Sequence, residues 1–214
     1  MLEIGPYADL AFLSIIQMDY GNRCRFLKCA RLPMSQTAPR TGNIPGMKAA
    51  LETLLKLRDE GLLAHFAIGG AIAASYYVEA VATEDLDVFA FLTPSPSGLL
   101  LLGPLYERLR QLGGRVQNEH VVIGTWPVQI LPAYTPLVEE AVMNASDLPF
   151  ENVRVPVVSA EHLCAIALQT GRAKDYARVN AFIDAGAVDR VALRGLIDRH
   201  ALTERWTSYE RRYS

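Results

Sequence analysis

Residues 66–92 read FAIGGAIAASYYVEAVATEDLDVFAFL, and the fold is decided within this stretch. Ala64–Ile68 is a short apolar run that stops at Gly69–Gly70, the pattern of a buried strand ending in a tight turn. Ala71–Glu79 then favours helix, and Asp85–Leu92 (DLDVFAFL) reads as a strand with apolar residues between and after two acids. Asp85 and Asp87 are two apart, so their side chains leave the same face of that strand. If Leu86 and Val88 face the core, both carboxylates point into a cleft. There they repel one another unless protons or a divalent cation neutralise them. A hard cation such as Mg²⁺, held by one or two carboxylates together with substrate phosphate oxygens, suits such a pair. The plainer reading has Asp85 closing a turn after Thr83-Glu84 and Asp87 solvated. Gly69 and Gly70 likewise carry two readings. One is backbone N–H groups at a helix start, where a phosphate can be held without a side chain intervening. The other is a tight turn that lets helix and strand pack closely.

Working outward, Leu51, Leu54, Leu55 and Leu62 recur near helical spacing, with Gly61 placed to end that helix. On the other side, Gly98–Leu112 is leucine-rich and helical. Strands are expected near Val116–Ile123, Trp126–Leu131 and Val153–Val158, with a helix near Pro136–Ala145. After Ser159 only helices are expected. Ser159 caps one that runs to about Thr170, with Glu161 in its first turn. Lys174–Ala185 follows, stopped by Gly186; Asp189 caps a third; Leu202–Tyr213 forms a fourth. The expected fold class is therefore α/β (α+β): a short mixed sheet flanked by helices over 47–158, then a small helical bundle over 159–214. Residues 1–46 differ. They have weak periodicity, a possible short helix around Asp9–Gln17, and a turn-rich run from Pro33 to Gly46 that reads as a linker. They are expected to form a loosely ordered leader, and one hypothesis is that translation starts at Met47. Leader peptides in mass spectra of the native protein would refute that start.

The bulk numbers narrow the function classes. With 214 residues, 50% of them apolar and 21% charged, the chain has the balance of a globular protein. A net charge of −2 gives no global attraction to nucleic acid or to an anionic membrane, so phosphate contacts must be local. Cys24, Cys29 and Cys164 do not suggest a disulfide framework, and the four scattered histidines do not suggest a zinc site. The apolar run Leu10–Ile16 is too short to span a bilayer and lacks a basic stretch before it. No membrane partner and a cytoplasmic location are expected.

The order strand, Gly-Gly, helix, Asp-x-Asp strand in 66–92 resembles the nucleotidyltransferase superfamily related to DNA polymerase beta. In that superfamily a Gly-Gly or Gly-Ser turn precedes an Asp-x-Asp pair that binds Mg²⁺ and the nucleoside triphosphate. A second segment, VPVVSAEHLCAIALQTGRAKDYARVNAFIDAG at 155–186, resembles the helical region of AbiEii-type bacterial nucleotidyltransferases, many of them from toxin–antitoxin or phage-defence systems. The resemblance implies a nucleotidyltransferase fold in which Asp85 and Asp87 hold Mg²⁺ (or Mn²⁺) and Gly69 and Gly70 orient an NTP. It further implies that Lys174 and Arg172 steady the phosphates. An acceptor hydroxyl on RNA, protein or a small molecule would then displace pyrophosphate, and an antitoxin partner would accompany a toxin role. For Arg172, Lys174 and Asp175 the plainer reading is a solvated helix start.

Two positions depart from the family pattern. Gln129 stands on the strand where many members carry a third carboxylate, and an amide cannot take a proton from a hydroxyl. Asp175 is the expected stand-in, because Glu84 should face away from Asp85. Ala167 stands where related toxins often carry lysine. A non-catalytic nucleotide-binding module is thus the main competing reading, and a structural protein with solvated acids the third. Tyr76, Tyr77 and Trp126 can stack on a base or fill the core, and the tail from Trp206 to Tyr213 can touch RNA or pack on the bundle.

Overall fold

Helix α1 (Met47–Asp59) forms where the leucines repeat, and it buries Met47, Ala50, Leu51, Leu54 and Leu57. Gly61, at φ +75°, turns the chain out of it into strand β1 (Leu63–Ile68). A short helix α2 (Gly70–Ala74) and strand β2 (Leu86–Leu92) follow. Next come α3 (Leu102–Gln111), β3 (Arg115–Gln117), β4 (His120–Ile123), β5 (Trp126–Pro132), α4 (Pro136–Met143), β6 (Ser146–Phe150) and β7 (Val153–Val157). Four helices end the chain: α5 (Ala160–Thr170), α6 (Ala173–Asp184), α7 (Arg190–Arg199) and α8 (Thr203–Tyr213). This computed structural model describes residues 46–79, 83–92 and 102–213, all within the unit Ser35–Ser214. The leader expected over 1–46, Gly46 apart, lies outside the described residues, as does the start of the helix expected from Gly98.

The seven strands make one mixed sheet in the order β3-β4-β5-β2-β1-β7-β6. β2 lies at its centre, antiparallel to β1 and parallel to β5, while β1 meets β7 in parallel through Ile68 and Val157. Along β2 the burial alternates. Leu86, Val88, Ala90 and Leu92 are buried, whereas Asp87, Phe89 and Phe91 on the opposite face are only partly covered. That period of two is what a strand with one core face produces. α1 packs across β1, β4, β5 and β7, and α4 against β1 and β2. The later helices share the sheet's core through Leu163, Leu168, Phe182 and Ile197. The architecture is the mixed sheet with flanking helices and a C-terminal helical region that the sequence leads one to expect.

Three elements differ from the sequence reading. α2 stops at Ala74 instead of continuing to Glu79, and Ser75 Oγ donates to Ile72 O where it ends. The strand expected across Val116–Ile123 is a hairpin, with Gln117 opposite His120 and Asn118 at φ +53° in the two-residue turn between them. Asparagine tolerates the left-handed region that such turns use. Finally β6, which pairs with β7 at the sheet edge, was not expected. Among the described residues no helix is long and apolar enough to cross a membrane.

Candidate active site

The diglycine turn and the two acids meet. Gly69 N–H donates to the Asp87 carbonyl (2.9 Å), which ties the turn after β1 to the start of β2. Gly70 sits at φ +57°, and a Cβ there would collide with the Asp87 carboxylate; one on Gly69 would strike the Phe89 ring at 2.5 Å. Both glycines are therefore required by a close approach of backbone to side chain. Asp85 immediately precedes β2, where Thr83 Oγ1 donates to its Oδ1 (3.0 Å) and orients it.

Asp87 is partly buried, and the Asp85 side chain is 36% exposed. Burial pushes the Asp87 carboxyl above the usual carboxylate range, and the neighbouring Asp85 charge pushes it the same way. Arg178, Lys174 and His120 pull against that rise. No hydrogen bond or ion pair to the Asp87 carboxylate is formed among the described residues. A partly buried acid beside a second acid is a donor set that a hard divalent cation fits. Among the described residues no three His, Cys, Asp or Glu side chains converge tightly enough to enclose a metal, so two carboxylates would leave the other positions to water and phosphate oxygens.

The surroundings are cationic on one side. Lys174 and Arg178 lie one helical turn apart on α6, and both act on the Asp87 charge. Arg178 was missed from the sequence, although its spacing from Lys174 is the signal that would have found it. Arg172 is largely exposed, and its Nε donates to Asp175 Oδ2 (2.7 Å). Asp175 is 2% exposed and occupies the third position of α6. It accepts from the Arg172 backbone N–H (3.2 Å) and from both Nε and Nη2 of that side chain. Asp175 therefore caps its helix and holds Arg172.

On the other side lies the β3–β4 hairpin. Gln129 is the register partner of Asp87 on β5, so their side chains share a face. His120 stands 3.5 Å from Asp85 Oδ2, and Gln129 Nε2 reaches Glu119 Oε2 at 3.5 Å. Glu119 and His120 were not picked out because the hairpin was read as one strand. The aromatic residues resolve toward the core. Tyr76 and Tyr77 are buried and donate to the carbonyls of Pro149 (3.3 Å) and Val158 (3.0 Å). Trp206 and Tyr209 of α8 are buried in the helical part, with Tyr209 bonded to Asn180.

No protein-family model and no curated protein matches the chain. Among solved structures it is similar to the antibiotic-resistance factor ANT(2'')-Ia in solution, at 19% identity and a TM-score of 0.48 over 79% of this chain and 98% of that one. The crystal form of ANT(2'')-Ia with adenylyl-2''-tobramycin gives 18% and 0.47 over 78% and 99%. An antigenic nucleotidyltransferase-like protein from Paracoccidioides brasiliensis gives 14% and 0.47 over 69% and 77%. At these levels the likeness bears on neither reaction nor substrate.

Proposed function

We propose that the chain is a nucleotidyltransferase that moves a nucleoside monophosphate from an NTP to an acceptor hydroxyl. The observation that carries this reading is the Asp85–Asp87 pair lying against the Gly69–Gly70 turn, with Lys174 and Arg178 of α6 acting on the same carboxylate. The acids would hold Mg²⁺ or Mn²⁺, which when bound supplies positive charge to the triphosphate oxygens. The glycines let the turn approach the Asp87 carboxylate closely, and the two cations of α6 would neutralise the triphosphate by charge-assisted hydrogen bonds. Positioning and fixed charge, without a covalent enzyme intermediate, would carry the acceleration. The acceptor is RNA, a protein or a small molecule. The AbiEii-like segment at 155–186 motivates a toxin-like role with an antitoxin partner, in a bacterial cytoplasm.

The test is incubation with each α-labelled NTP, Mg²⁺ and cell extract. Label should move into extract components, and Asp87→Ala should abolish the transfer. One observation favours a second reading. Gln129, beside Asp87 in register, is an amide and accepts no proton, so a nucleotide-binding module without turnover fits as well. Tight NTP binding with no transfer to any extract component would decide for that module.

A further inference from the structure

We propose that Glu119, at the tip of the β3–β4 hairpin, is the proton acceptor for the attacking hydroxyl, with Gln129 positioning it. This rests on the transferase reading above. A hydroxyl that attacks phosphorus must lose its proton, and a carboxylate within reach is the usual acceptor. Asp85 belongs to the proposed cation pair, and both oxygens of the buried Asp175 accept from Arg172. Glu119 forms no ion pair among the described residues and is exposed.

Two features place it. The turn is only two residues long, closed by the pairing of Gln117 with His120 and set by Asn118 at φ +53°. Gln129 Nε2 then reaches the Glu119 carboxylate at 3.5 Å from the register position next to Asp87. An amide in that position keeps a donor aimed at a neighbouring carboxylate, which a second acid would repel. Asp87 and Gln129 in register, and Gln129 in contact with Glu119, step from the proposed cation pair toward the hairpin tip. His120 lies 3.5 Å from Asp85, and Lys174 and Arg178 of α6 act on Asp87.

In the reaction the acceptor oxygen forms a bond to the α-phosphorus, and the bond from that phosphorus to the β-phosphate bridging oxygen breaks. The electron pair leaves with pyrophosphate. The hydroxyl proton passes to Glu119 and from there to water.

The experiment compares the full chain with E119Q and E119D, using α-labelled NTPs, Mg²⁺ and cell extract as the acceptor source across a range of pH. E119Q should slow label transfer by about 100-fold or more, the usual contribution of a general base. It should bind MgNTP with unchanged affinity. E119D should recover part of the rate. Transfer by E119Q at the unsubstituted rate, or a loss matched by weaker NTP binding, overturns the assignment and leaves the transferase reading standing. No transfer by the unsubstituted protein overturns both.

Discussion

Asp87 is placed where an acid is costly. Burial and the Asp85 charge raise its carboxyl pKa, so the folded state takes up a proton more readily than the unfolded chain does. The sign follows directly: above its folded pKa this group works against folding, and the penalty fades as pH falls through that value. A cation between the acids would remove the same penalty at neutral pH. Asp87→Asn should therefore stabilise the metal-free protein at pH 7, by about 0.5–2 kcal/mol, the size of a typical relieved functional strain. Urea unfolding with chelator present measures this, and a less stable Asn variant would contradict it. The pair and the glycine turn were legible in the sequence because spacing alone fixes which face each side chain leaves. The partner of Asp175 was not, since an acid at the third position of a helix does not show in the sequence that it will pair with Arg172.

Between elements, the firmest polar link is the one from α4 to α7. The side chains of His162, Arg199 and His200 around Glu140 hold its carboxyl well below the usual carboxylate range, against the opposing pull of burial. Arg199 Nη2 donates to its Oε1 (2.6 Å), and His200 Nε2 lies 2.7 Å from its Oε2. His162 Nε2, buried on α5, stands 3.7 Å from Oε1, too far for a hydrogen bond. Glu140→Gln should destabilise the fold by about 1–3 kcal/mol, the range for hydrogen bonds to a charged group. Because the folded pKa is depressed, this contribution is present above the ordinary glutamate range and lost as pH falls below it. The stability gap between the two proteins should thus narrow in acid, and a gap independent of pH would refute the electrostatic origin. At this scale the sequence was less informative. The hairpin was hidden because Val116–Ile123 is apolar enough to pass for one strand, and its Asn118-Glu119 turn lacks glycine. β6 was hidden because it contains Pro149, which a strand tolerates only at a sheet edge. The helices of the C-terminal part were legible because Ser159 and Asp189 cap α5 and α7 as their side chains suggest.

For the molecule as a whole, a ligand that binds only the folded state must raise its stability. At an NTP concentration of about 100 Kd with Mg²⁺ the gain is about 2.7 kcal/mol, which corresponds to a rise in Tm of about 5–10 °C for a domain of this size. Thermal unfolding with each NTP checks it, and the shift should vanish in Asp87→Ala. The order of the chain has a consequence of its own. The acids at 85 and 87 leave the ribosome long before Lys174 and Arg178 of α6, and β1 gains its second neighbour only when Val157 has been made. A chain stalled before Val157 thus carries the two acids and a strand β1 with β2 as its one neighbour, without Lys174 and Arg178. On the transferase proposal, the growing polypeptide would stay silent toward nucleotide until α6 is synthesised.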